Sequence, residues 1–121
     1  MDDDKAIEIV TKYMAAWNEA DVARRKALLE QCWAGDGTYT DPRSEVRGRE
    51  QLSAHIERLH KTMPGVRFEL AAGPDTHHRF VRFLWRMTNS GTPPLDGMDI
   101  GELAADGRLL SIVGFFSALP V

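Results

Sequence analysis

The sequence predicts an α+β domain: a curved, mostly antiparallel sheet with helices packed on one face. Three observations carry this. Apolar residues recur at helical spacing through three segments in the first half of the chain. Runs rich in β-branched and aromatic residues, joined by short turn signals, fill the second half. Helices first and strands last is also the wrong order for a parallel α/β sheet, where the two alternate. A curved sheet covered by helices leaves room for a cavity at its concave centre.

The elements follow in order. Asp2, Asp3 and Asp4 place acids where a helix begins, favourable for the dipole and for capping. The first helix then reads KAIEIVTKYMAAWNEA, with Ala6, Ile9, Val10, Tyr13 and Trp17 on one face. Asp21 caps a second helix, VARRKALLEQCWAG, whose expected buried stripe is Val22, Leu28, Leu29, Cys32 and Trp33, ended by Gly35. A short strand around Tyr39 comes next. A third helix, GREQLSAHIERLHKTMPG, carries Leu52, Ile56, Leu59 and Met63 and stops at Pro64-Gly65. Four strand runs follow: VRFEL, RFVRFLWRMT, GMDIGELA and RLLSIVGFFSAL. Asp106-Gly107 is a hairpin signal between the last two.

The bulk properties narrow the class. A length of 121 residues suits one domain spanning 1–121. Hydrophobic residues at 43% and charged residues at 27% are a globular composition. The net charge is −3 and no basic stripe stands out, which argues against nucleic acid as a partner. No run approaches the ~18 apolar residues of a membrane span. The acidic start has the wrong charge for a secretory leader. The lone Cys32 cannot form an internal disulfide and suits a reducing cytoplasm, the expected location.

Alternation sorts the strand faces. In RFVRFLWRMT one face is wholly apolar, Val81, Phe83, Trp85 and Met87, and is assigned inward. The other mixes Phe80 and Leu84 with Arg82 and Arg86, which suits a surface covered by a second copy of the chain. In GMDIGELA neither face is cleanly polar, so alternation does not place Asp99. Asp41 also has two readings. Before Pro42 it is a natural turn-forming acid. Sharing a strand face with Tyr39, it is equally placed to enter a pocket.

The segments KYMAAWNEAD, YTDP, GREQLSAHI and GMDIGELAADGRLLSIVGFF, in this order and spacing, resemble the nuclear transport factor 2-like superfamily, of the SnoaL-like polyketide cyclase and ketosteroid isomerase type. The resemblance covers nearly the whole chain. It implies a cone-shaped barrel, in which three helices from the N-terminal half close over a strongly curved, mixed but mostly antiparallel sheet and enclose a pocket. It also implies roles. The isomerases' first-helix tyrosine, a hydrogen-bond donor to the substrate oxyanion, corresponds to Tyr13. Their catalytic base, the aspartate before proline, corresponds to Asp41. Their second, protonated aspartate corresponds to Asp99, eight residues before the hairpin Gly107. Polyketide cyclases of this type also use an aspartate on that strand as acid/base. His55 and Gly101 stand where the isomerases have mainly apolar or aromatic residues, which puts steroid selectivity in doubt.

The candidate substrate contacts are His55, Trp17, Tyr39, Phe83, Trp85, Met87 and Phe116. On residue type alone, Tyr13 and the tryptophans are ordinary core aromatics, and His55 is an edge histidine on the third helix. Asp99 between Met98 and Ile100 is costly if buried without a partner. His77 and His78 are expected on a strand edge with diverging side chains, and His60 falls off the His55 face. No histidine pair has metal-ligand spacing, so neither metal nor cofactor is expected.

Three functional readings result. The first is a cofactor-free enzyme doing acid/base chemistry beside the carbonyl of a small apolar substrate. The second is a binding module for a hydrophobic metabolite. The third is an interaction domain. A homodimer through the outer sheet face accompanies them, and most relatives of this type are dimers.

Overall fold

The computed structural model describes residues 3–117. Asp2 and positions 118–119 of the last expected strand lie outside the described residues. Helix α1 (Asp3–Asn18) buries Ala6, Ile9, Val10, Tyr13 and Trp17, the stripe its spacing predicts, together with Met14 and Ala16. Helix α2 (Val22–Cys32) is capped by the Asp21 side chain, which accepts from Arg24 N at 2.9 Å. Strand β1 (Trp33–Asp41) follows without a break, then strand β2 (Ser44–Arg47) and helix α3 (Gly48–Thr62). Strands β3 (Arg67–His77), β4 (Phe80–Thr88), β5 (Leu95–Leu103) and β6 (Leu109–Phe116) complete the chain.

The strands form one mixed sheet in the order β2-β1-β6-β5-β4-β3. Only the β1–β6 pair is parallel; the others are antiparallel. β2 and β3 are its two edges, so the sheet curls without closing into a barrel. Register shifts within β3–β4 and β1–β6 interrupt the ladders, and such irregularities bend a sheet. The concave face carries Val81, Phe83 and Trp85 from β4, Leu103 from β5 and Leu109 and Ile112 from β6, all buried in one core with residues of the three helices. Burying each such side chain stabilises the fold by roughly 1.5–3 kcal/mol.

Several expectations are corrected. Gly35 does not end α2. The helix stops at Cys32 and Trp33 takes an extended backbone (φ −121°, ψ 125°), entering the core from β1. Its ring stacks on Tyr13 at 5.6 Å. Val22 is 39% exposed; Arg25, Leu29 and Cys32 of α2 are buried, and Leu28 is partly buried against the core. The strand at Tyr39 is nine residues long, and the four-residue β2 pairs back on it with Asp41 opposite Ser44. β3 runs well beyond VRFEL. The side chains of His77 and His78 do not diverge. The β3–β4 turn falls at His78 (φ 52°), and its Nδ1 lies 3.1 Å from that of His77.

Alternation left the β5 faces open, and the register settles them. Asp99, Gly101 and Leu103 are buried, while Ile100 is exposed. The convex face exposes Leu84, Ile100, Val113 and Phe115. Among the described residues no helix is long and apolar enough to cross a membrane.

Candidate functional site

Asp41 closes β1, where Pro42 forces the chain out of the ladder. Its two oxygens serve both uses the sequence allows. Oδ1 accepts the backbone N–H of Arg43 at 2.8 Å, the turn-forming role. Oδ2 accepts the Tyr39 hydroxyl at 2.6 Å on the inward face. Burial, and then the bond to Asp41, push the Tyr39 pKa far up, so its hydroxyl stays a donor.

Asp99 sits mid-strand in β5 and is 5% exposed. The Trp85 indole N–H donates to its Oδ1 at 3.0 Å. Gly97 makes that contact possible, since a Cβ there would fall inside the Trp85 ring. Burial pushes the Asp99 pKa up to about 7; the Asp41 charge adds to this and the Trp85 bond opposes it.

β6 lies between the two aspartate strands, and at the level of the carboxylates it presents Gly114. Asp99 pairs directly with Gly114. A Cβ at Gly114 would sit 2.8 Å from Asp99 Oδ1 and 3.7 Å from Asp41 Cβ. An absent side chain therefore leaves room between the two acids.

Tyr13 reaches the same space from α1. It is 1% exposed, and its hydroxyl has no hydrogen-bond partner among the described residues. The Trp17 indole N–H is near it without the geometry of a hydrogen bond. Burial, then the Asp99 charge, raise the Tyr13 pKa well above the usual value, so this group too remains a donor. A buried hydroxyl left unpaired is costly, and a ligand acceptor would relieve it. His55 projects from α3 against Tyr39 and Trp17, with ring centroids at 5.6 and 5.7 Å. Burial lowers its pKa; the Asp41 charge opposes this and Arg58 adds to it.

These groups open on one cavity of about 180 Å³. Tyr13, Asp41, Asp99, His55, Trp17, Tyr39, Trp85, Met87 and Phe116 all line it. Phe83 is the exception: it is buried behind Tyr13, edge-on at 6.2 Å. Met14, Leu59, Met63, Phe68 and Leu95 complete the apolar wall, and Arg43 and Ser44 stand at it as well. None of these seven was singled out for the site from the sequence, nor was Gly114. A lone glycine inside the strand run of IVGFF is the signal that could have found the last, since it marks a close approach. Among the described residues no three His, Cys, Asp or Glu side chains are grouped to hold a metal ion.

Comparison with known proteins agrees with this architecture. The model of the SnoaL-like domain family matches residues 10–112. A suggested isomerase of the SnoaL-like family from Agrobacterium tumefaciens is 38% identical, with a TM-score of 0.87 over 94% of this chain and 98% of that one. A suggested SnoaL-like polyketide cyclase from Jannaschia sp. has a TM-score of 0.78 at 16% identity, over 95% of this chain and 87% of that one. A cystatin-like-fold protein of unknown function from Methylobium petroleophilum has a TM-score of 0.82 at 17% identity, over all of this chain and 81% of that one. The last two show the shared fold. No curated protein matches the sequence.

Proposed function

The chain belongs to the SnoaL-like domain family, and on that premise we propose that it performs acid/base chemistry next to the carbonyl of a small, largely apolar substrate. One observation carries this reading: Asp41, Asp99 and Tyr13, whose buried hydroxyl has no hydrogen-bond partner among the described residues, all line the same apolar cavity.

The two acids have different surroundings, which is how one site runs acid and base chemistry together. Asp41 in its carboxylate form takes the proton α to the carbonyl. The C–H electron pair becomes the C=C bond of the enolate and the negative charge moves to oxygen. Asp99, neutral below about pH 7, donates a hydrogen bond to that oxygen. With Oδ1 already accepting from Trp85, its proton belongs on Oδ2. Tyr13 supplies the second donor. Return of the proton from Asp41 to a different carbon gives an isomer, and attack of the enolate on a second carbonyl of the same molecule closes a ring. The outer face completes the proposal with a homodimer. Cross-strand pairing puts Leu84, Met98 and Phe115 in one row and Ile100 and Val113 in the next, and exposed apolar rows of this kind mark contacts.

Exchange of the α-protons of a monocyclic ketone in D₂O, followed by NMR, tests the chemistry. The wild type accelerates exchange over buffer and Asp41→Asn lowers that rate ~10²–10⁴-fold, the usual contribution of a general base. Exchange at the buffer rate would remove the enzymatic reading. A second reading, a non-catalytic binder, is favoured by the fact that both Asp41 oxygens are already hydrogen-bonded. It predicts that the ketone binds while its α-protons do not exchange.

A further inference from the structure

At the cavity mouth lies a second recess of about 520 Å³. It shares Arg43, Ser44, His55 and Leu59 with the inner cavity, so the two spaces are continuous. Its further wall includes Arg58 and Thr62 of α3. The inner space is walled mostly by aromatic and aliphatic side chains; the outer one is lined by two arginines, Arg43 and Arg58.

Neither guanidinium has a carboxylate partner among the described residues. Arg43 lies over the Phe116 ring, 5.4 Å from its centroid, and only its backbone N–H goes to Asp41. Arg58 is felt through its charge on His55. The arginines of the outer sheet face behave differently. Arg79, Arg82 and Arg86 are each paired, with Glu102, Asp75 and Asp96. Glu45 is the acid in the recess lining, and no ion pair joins it to either arginine. Two arginines against one glutamate leave the recess net positive.

We propose that this recess binds a carboxylate carried by the substrate, which makes the substrate class a single-ring compound with an acidic arm. The inference rests on the acid/base reading of the inner cavity. The size of that cavity sets the ring count: about 180 Å³ is on the scale of the ~150 Å³ apolar cavity that accepts benzene. The ring fills the space under Trp17 and Trp85, with its oxygen toward Asp99 and Tyr13. The arm leaves past His55 and Leu59, which line both spaces. Its carboxylate meets Arg43 and Arg58, whose planar forks suit a carboxylate.

Two phenols test this at about pH 6, where Asp99 holds its proton. p-Cresol has the ring and hydroxyl alone; 3-(4-hydroxyphenyl)propionate adds the acidic arm. Dissociation constants come from quenching of tryptophan fluorescence, since Trp17 and Trp85 line the cavity. On the wild type the propionate binds roughly tenfold tighter than p-cresol, the worth of one good charge-assisted contact. In the folded Arg43→Gln, Arg58→Gln double variant the ratio of the two constants falls to about one. A wild-type ratio near one, or a tenfold ratio that survives the double substitution, overturns the proposal. If p-cresol binds and the propionate gains nothing, this proposal alone falls. If neither phenol binds the folded wild type, it falls together with the reading of the inner cavity.

Discussion

Of the acidic and basic side chains among the described residues two are buried, Arg25 on α2 and Asp99 on β5. Their surroundings could hardly differ more. Arg25 is 1% exposed and met on every side: Nε donates to Ser53 Oγ at 2.9 Å, Nη1 to the Glu19 carbonyl at 2.8 Å, and Nη2 approaches Glu57 at 3.5 Å. It ties α2 to α3 and to the chain between the first two helices. Asp99 receives the Trp85 indole N–H on one oxygen, has no other side-chain partner among the described residues, and lines the cavity. Burying a polar group is tolerable when its bonds are complete. The completed group holds helices together. The incomplete one lines an apolar cavity, where a ligand can complete its bonds.

If this contrast is right, the two residues respond to different experiments. The largest loss of stability belongs to Arg25. Arg25→Ala opens a cavity and strands Ser53, and should cost about 3 kcal/mol in urea unfolding. Arg25→Met, which keeps the stem's volume, should cost less. A loss below about 1 kcal/mol for the alanine variant would break the structural half of the comparison.

Gly114 carries the next effect. A methyl group 2.8 Å from Asp99 Oδ1 forces the carboxyl or the strand to move. Gly114→Ala should therefore cost about 1–3 kcal/mol and also shift the Asp99 midpoint. A stability loss with the midpoint unmoved would mean that Gly114 serves packing alone.

Asp99→Asn sharpens the comparison through pH. The folded pKa of Asp99 lies above its ordinary value of 3.8, so between 3.8 and about 7 the native chain holds a proton that the unfolded chain has released. The Asp99 contribution to stability is thus present at low pH and is lost as pH rises through that window. Asparagine keeps an acceptor for Trp85 and has no such loss. The Tm of Asp99→Asn relative to wild type should climb from pH 4 to pH 7 and then level, as read by thermal melts. The smallest effect belongs to Glu57→Gln. That side chain is 38% exposed and sits 3.5 Å from Arg25. Exposed pairs contribute ~0–1 kcal/mol, so the urea midpoint should barely move.

How far these roles can be read from the sequence follows from how local each signal is. α1, α3 and the inward face of β4 were legible because their apolar residues repeat along one element. Tyr39 and Asp41 share a face because they are two apart on a strand, and they are hydrogen-bonded as that spacing allows. Other features depend on residues far away in the chain. Trp33 continues the helical spacing of Leu29 and is buried as expected, yet its backbone is already extended. The four residues of β2 carry too little alternation to announce a strand. Asp99 could not be assigned to a face from GMDIGELA; its place comes from pairing with β4 and β6. Arg25 lies in a run of charged residues, VARRKALLE, and is buried only because Ser53 and the Glu19 carbonyl come from other segments.

The central claim is that Asp99 is a protonated acid facing a cavity that it shares with Asp41. Carbon-13 NMR of the aspartate carboxyl groups across pH, with Asp99→Asn for assignment, measures this directly. The account predicts an Asp99 midpoint at about 7. It also predicts a downward move of that midpoint in Asp41→Asn, since the Asp41 charge is one of the causes holding it up. An Asp99 midpoint near the ordinary 3.8, unmoved by Asp41→Asn, would contradict it.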